Sequence, residues 1–274
     1  MLTPRSPRVV AARRLTTRAE RSSAGQFLAE GPQAVGEAVV AGVVTELFCT
    51  PAALERHHGL LLSWAGRPHL VSERAAAGLS ETVHPQGIVA VCTAGHVPAA
   101  VALCPGRRLV VLLVEINDPG NAGTVLRTAD AAGAQAVLFS AGSVDPYNGK
   151  CVRASAGSLF HLDLVREAEV SVALAGARAA GLRVLAAAGD GESDLDTEID
   201  SGRLAQPTMW TFGNEARGLA SEVAAACDAR VRVPIHGRSE SLNLAAAAAV
   251  SLYASARAQR AAPGNAGADR GRPA

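Results

Sequence analysis

Apolar and polar positions along this chain follow two rhythms. Short, nearly unbroken apolar runs alternate with longer stretches in which small apolar residues recur every three or four positions. The first kind reads as strands buried on both faces, the second as helices covering them. From residue 108 onward this alternation predicts strands over 108–116, 136–140, 182–188, 208–213 and 229–235. Helices are predicted over 121–134, 171–181, 221–227 and 241–259. Strands alternating with helices imply an α/β fold with a parallel sheet, and ligands in such sheets sit at the carboxyl ends of the strands.

The first third is less regular. Residues 26–50 read as a strand or turn, a helix over about 31–41 and a strand over 43–50, and GIVAVCT (87–93) reads as a short buried strand. This predicts a smaller α/β unit. Residues 94–107 carry two Pro, two Gly and no clean period, which marks a linker. The expected organisation is a domain over 1–93, a linker over 94–107, a second domain over 108–260 and a disordered Gly-, Pro- and Ala-rich tail over 261–274.

Length and composition set further limits. A chain of 274 residues, 49% hydrophobic, is long enough for two cores. Its net charge of +1 gives no global attraction to nucleic acid, but residues 1–26 hold six arginines against Glu20 alone. Such a basic arm is able to track a phosphate backbone, and it equally suits a solvated helix face. The five cysteines are scattered and never spaced C-x-x-C, so neither a disulfide framework nor a zinc site is expected. No apolar run reaches the ~18 residues a membrane span needs without a charge or a turn former. The expected location is the cytoplasm.

Several chemical signatures fail on inspection. VDPYNGKC (144–151) ends in Gly-Lys like a phosphate-binding loop, but Val144 stands at the first glycine position and Cys151 at the Ser/Thr position. AGDGES (188–193) lacks the third glycine of a dinucleotide loop. There is no H-E-x-x-H and no G-x-S-x-G.

Three strand ends remain, each followed by an unusual polar group. After the 108–116 run comes NDPGNAGTVLR, with Asn121 at a capping position, Gly123 permitting close approach and Arg127 further along the helix. After 208–212 comes GNEARG (213–218), and after 229–235 comes HGRSESLN (236–243). Each has an ordinary reading: Asn121 and Ser241 as helix caps, Arg127 as a solvent-facing residue, Glu215 as an acid in a first turn. The sheet rule nevertheless places all three loops on one edge.

In this order, N-x-G-x-x-x-R (121–127), G-N-E-x-x-G (213–218) and P-I-x-G-x-x-x-S-L-N (234–243) resemble the signature motifs of the SpoU, or TrmH, class of SPOUT RNA methyltransferases. GQFLAEGPQAVGEAVVAG (25–42) resembles the start of that family's substrate-binding domain, and residues 147–165 resemble the stretch after its second strand. The resemblance implies an α/β trefoil knot over 108–260, preceded by a ribosomal-protein-like RNA-binding domain. It also implies a homodimer, S-adenosylmethionine as cofactor and methylation of a ribose 2′-hydroxyl, with 23S ribosomal RNA favoured over transfer RNA; no magnesium or zinc motif accompanies the set, so no metal is expected. A non-catalytic RNA-binding protein of the same fold is the rival reading. By resemblance, the backbone of Gly213, Val233, Ile235 and Leu242 holds the cofactor, while Arg127, Asn121, Glu215, Ser241 and Asn243 form the catalytic set. Arg18, Arg21 and Arg153 are candidate RNA contacts. A guanidinium almost never gives up its proton, so Arg127 is expected to hold a phosphate and stabilise charge rather than act as the base.

Overall fold

The computed structural model describes residues 1–262, so the expected tail lies almost entirely outside the described residues. The chain forms two compact units. One gathers Met1–His96, Pro119–Arg127 and Val144–His161; the other gathers Val97–Asp118, Thr128–Ser143 and the described residues from 162 to 262.

The first unit carries β1 (Gln26–Glu30), β2 (Val44–Cys49), β3 (His69–Leu70) and β4 (Ile88–Thr93) in the order β1-β4-β2-β3. β4 runs antiparallel to both neighbours, and β2 pairs with β3 in parallel. The basic N-terminal segment is not a free arm. Residues Pro7–Arg14 and Arg18–Ala24 are helices, and Val9, Ala12 and Leu15 are buried in a core with Phe48, Val71, Leu79 and Val89. Apolar residues three apart put one face of this Arg-rich segment into the core, which a count of charges does not register.

Residues from the later part of the chain complete this unit. Tyr147 and Phe160 pack on Phe27 of β1, with ring centroids 4.6 and 6.1 Å apart. A Cβ on Gly123 would lie 2.4 Å from the Cys151 carbonyl oxygen, so only glycine lets helix Pro119–Ala132 lie against helix Gly149–Ser155. The first compact unit thus draws in residues 119–127 and 144–161 from later in the chain.

The second unit holds seven parallel strands: β5 (Leu109–Leu113), β6 (Ala136–Ser140), β7 (Asp163–Ala168), β8 (Arg183–Ala187), β9 (Ser193–Asp194), β10 (Thr208–Phe212) and β11 (Ala229–Arg232). Their order is β7-β6-β5-β10-β8-β11-β9. β5, β6 and β10 are buried at every position, as the apolar runs predict. One face packs on helix Val170–Ala179 through Leu112, Met209, Ala173 and Leu174. On the other, Trp210 donates its indole N–H to Ser255 of helix Leu244–Ala261 at 2.8 Å.

The apolar pattern does not reveal β7. Asp163, Arg166 and Glu167 interrupt it, as an edge strand tolerates, and Glu167 has φ 52° where the pairing with β6 shifts register. β11 stops at Arg232, short of the predicted 235, because Pro234 has no N–H for a ladder.

Candidate active site

At the carboxyl ends of β8, β10 and β11 the second unit opens into a cleft of about 320 Å³. Gly213, Glu215, Val233, Ile235, Ser241 and Leu242 all line it. Six residues singled out in the sequence, from two separate motifs, thus share one cavity. Ala187 at the end of β8, with Ala188 and Gly189 just after it, forms a further wall, together with Glu240. Sequence reasoning missed these four. The signal was available, since the loop after β8 belongs to the same sheet edge, but its glycines were weighed only against a dinucleotide motif.

Close main-chain packing shapes the cleft's rim. A Cβ on Gly213 would lie 2.3–2.4 Å from backbone atoms of Gly218 and Leu219. Asn214 and Gly218 exchange backbone hydrogen bonds of 3.0 and 2.8 Å, closing GNEARG into a tight loop with Gly218 at φ 67°. The buried Asn214 side chain accepts from the amides of Ala216 and Arg217 and donates to the Glu115 carbonyl at 2.8 Å. At Gly237, by contrast, a Cβ meets open space.

Glu215 has a role the sequence did not suggest. Its carboxylate accepts the backbone N–H groups of Asn117 (3.2 Å) and Asp118 (3.1 Å), tying the loop after β10 to the turn after β5. That turn runs directly into helix Pro119–Ala132, which carries Asn121, Gly123 and Arg127. Proline at the first helical position costs no hydrogen bond, so the helix begins two residues before Asn121. Asn121 is therefore inside the first turn and not the cap. Arg127 is exposed, and among the described residues no ion pair engages its guanidinium.

The cap of the closing helix also differs from expectation. Helix Leu244–Ala261 starts after Asn243, whose side-chain oxygen accepts from Ala245 N–H at 2.9 Å. Asn243 takes the capping role expected of Ser241. The latter stays in the extended loop, its carbonyl accepting from the Ser239 hydroxyl at 2.8 Å. Leu244 and Ala247 close the cleft floor from this helix.

Two candidate RNA contacts are engaged within the protein. Arg21 is only 4% exposed and donates to Asp145 (2.8 Å) and to the carbonyls of Leu15 and Thr16. It is a buried structural ion pair, out of reach of a phosphate. Arg153 donates to Glu30 (3.2 Å) and Glu81 (3.4 Å), which already satisfy its charge. Arg18 is exposed, as are Arg5, Arg13 and Arg14. Among the described residues there is no cluster of three or more metal-ligating side chains and no helix long and apolar enough to cross a membrane.

A parallel sheet with a glycine-rimmed cleft at the carboxyl ends of its strands defines an α/β protein whose cleft has the place and size of a small-ligand site. The model of the SpoU rRNA Methylase family matches residues 108–253, and that of the MRM3-like substrate binding domain matches residues 6–90. The chain belongs to the SpoU rRNA methylase family. It is 34% identical over 249 residues to the 23S rRNA (guanosine(2553)-2'-O)-methyltransferase RlmP of Bacillus subtilis, covering 88% of this chain and 92% of that one. It is 33% identical to a 23S rRNA (uridine(2479)-2'-O)-methyltransferase of Streptomyces viridochromogenes, covering 94% and 96%. The solved structure of the SpoU methyltransferase AviRb from that organism, in complex with the cofactor AdoMet, superposes with a TM-score of 0.81 at 29% identity, covering 92% and 98%.

Proposed function

We propose that this protein is an S-adenosylmethionine-dependent methyltransferase acting on a ribose 2′-hydroxyl of 23S ribosomal RNA. The observation that carries this reading is the single cleft formed by Gly213, Glu215, Val233, Ile235, Ser241 and Leu242. Half-exposed Ile235 and Leu242 offer apolar surface beside main-chain polar groups, which suits an adenosyl moiety. Bound there, the cofactor supplies an electrophilic methyl group on a sulfonium.

The chain's own residues then position the acceptor. Arg127, exposed and without an ion-pair partner among the described residues, holds an RNA phosphate and stabilises negative charge developing on the 2′-oxygen as the hydroxyl proton passes to solvent water. Glu215 supports it indirectly, by fixing the turn from which the Arg127 helix starts. Asn121, on the first turn of that helix, and Ser241, on the cleft wall, complete the substrate side. Asn243 acts through the helix it caps. The knotted passage of residues 233–243 and a homodimer belong to the same proposal; half-exposed Val250 and Tyr253 supply apolar surface for a second copy.

Mapping 2′-O-methylation in ribosomal RNA from cells with and without the gene tests the substrate. Loss of one mark in 23S RNA is expected. Calorimetry with S-adenosylmethionine tests the cleft, and absence of binding would favour a non-catalytic RNA-binding role.

A further inference from the structure

Four consecutive backbone amides after β5 are each accepted by a side-chain oxygen. Glu115 N–H donates to Ser140 Oγ (2.9 Å), Ile116 N–H to Ser143 Oγ (3.3 Å), and Asn117 and Asp118 to the two oxygens of Glu215. Ser140 and Ser143 are 2% and 3% exposed and stand at and just after the end of β6. Their hydroxyls have outlets for their own protons, Ser140 at the Ala141 carbonyl (2.9 Å) and Ser143 at the Leu113 carbonyl (3.4 Å). Glu115, at φ 53°, is held in a left-handed conformation that a non-glycine residue adopts only under constraint. Asn214 grips its carbonyl, and Arg217 pairs with its carboxylate at 2.9 Å.

We infer that Ser140 and Ser143 are positioning residues for methyl transfer: with Glu215 they lock the strained 115–118 turn and so set the start of the helix that carries Arg127. The inference rests on the function proposed above. No motif contains either serine. Residues 115–118 have left the sheet ladder, the last rung being Val114 N–H to the Phe212 carbonyl, and their amides are held by side chains instead. The same turn is bonded to the GNEARG loop at the cleft's rim through Glu215 and Asn214. A misplacement of about 1 Å in such a support is able to cost on the order of 100-fold in rate.

The test compares wild type with Ser140→Ala/Ser143→Ala and with Ser255→Ala. Ser255→Ala strips a buried hydroxyl from Trp210, remote from the turn, and controls for lost stability alone. Dissociation constants for S-adenosylmethionine, and kcat and KM on 23S RNA fragments, are measured for each. The double variant is expected to bind the cofactor within about threefold of wild type while losing on the order of tenfold or more in kcat; Ser255→Ala is expected to keep wild-type kcat. Equal kcat for wild type and the folded double variant overturns the inference and leaves the proposed function standing. Hydrogen exchange over residues 114–120 of the wild type provides a second arm, independent of activity and of how the variant folds. Protection of this turn supports the lock, whereas exchange at free-peptide rates overturns it. A wild type that binds no S-adenosylmethionine and methylates no RNA counts against the function instead, and the exchange result still decides whether the turn is held.

Discussion

Arg21 and Asp145, 124 positions apart in the chain, form an ion pair of 2.8 Å with side chains only 4% and 2% exposed. Asp145 also accepts from Tyr147 N–H at 3.1 Å, so the pair fastens the end of helix Arg18–Ala24 to the loop after β6. Removing one member leaves the other charge buried and uncompensated. Asp145→Ala is expected to cost about 3–5 kcal/mol, read as a lower midpoint in urea. Neutralising Arg21 is expected to act on stability in the same way and to leave the salt dependence of RNA binding unchanged. A flattened salt slope with intact stability would show that Arg21 contacts phosphate after all.

Gly213→Ala places a methyl against the main chain of Gly218 and Leu219. Backbone is unable to move aside as a side-chain tip does, so the loop must open at a cost of about 1–3 kcal/mol. Calorimetry is expected to show S-adenosylmethionine binding weakened roughly tenfold or more. Wild-type affinity in this variant would count against the cleft as the cofactor site.

Asn243 and Ser241 separate a cap from a wall residue. Asn243→Ala removes the hydrogen bond to Ala245 N–H and is expected to cost about 1 kcal/mol of stability. Ser241→Ala, in the exposed loop, is expected to leave the thermal midpoint in place and to lower kcat/KM. The reverse pattern would return the cap to Ser241.

For Arg127→Ala the expected result is loss of methylation on the order of 100-fold or more, with little change in stability, since the side chain is exposed. Near-wild-type turnover would remove Arg127 from the mechanism.

Glu198 makes stability depend on acid. Burial alone would raise its pKa, but hydrogen bonds from Arg183, Arg203 and Ser193 outweigh this and hold it at about 2. A carboxylate depressed on folding contributes fully above its unfolded value of about 4.3, and the contribution is lost as pH falls toward 2. Denaturation midpoints should therefore drop across that window in the wild type and less steeply in Glu198→Gln.

The buried strands were legible because a central strand in a parallel sheet has no solvent face, and an unbroken apolar run such as 109–113 records that directly. The motif glycines were legible for a similar local reason: Gly123 and Gly213 sit where a Cβ has no room. Helix starts were read less well. Asn121 and Ser241 have the chemistry of caps, but Pro119 and Asn243 decide where those helices begin. The partners of Arg21, Arg153 and Glu215 were not legible for one shared reason: each lies far away in the chain, and a charge counted along a sequence carries no address.

By itself, the sequence determined the parallel α/β architecture, the edge of the sheet at which the cleft opens, and the motif residues that line it, because hydrophobic period and residue size act locally. Only the tertiary structure decided which arginine is buried, which residue caps the closing helix, and how Ser140, Ser143 and Glu215 meet the 115–118 turn. Those outcomes depend on hydrogen-bond partners brought together from distant strands, and the distances among them exist only once the sheet has formed.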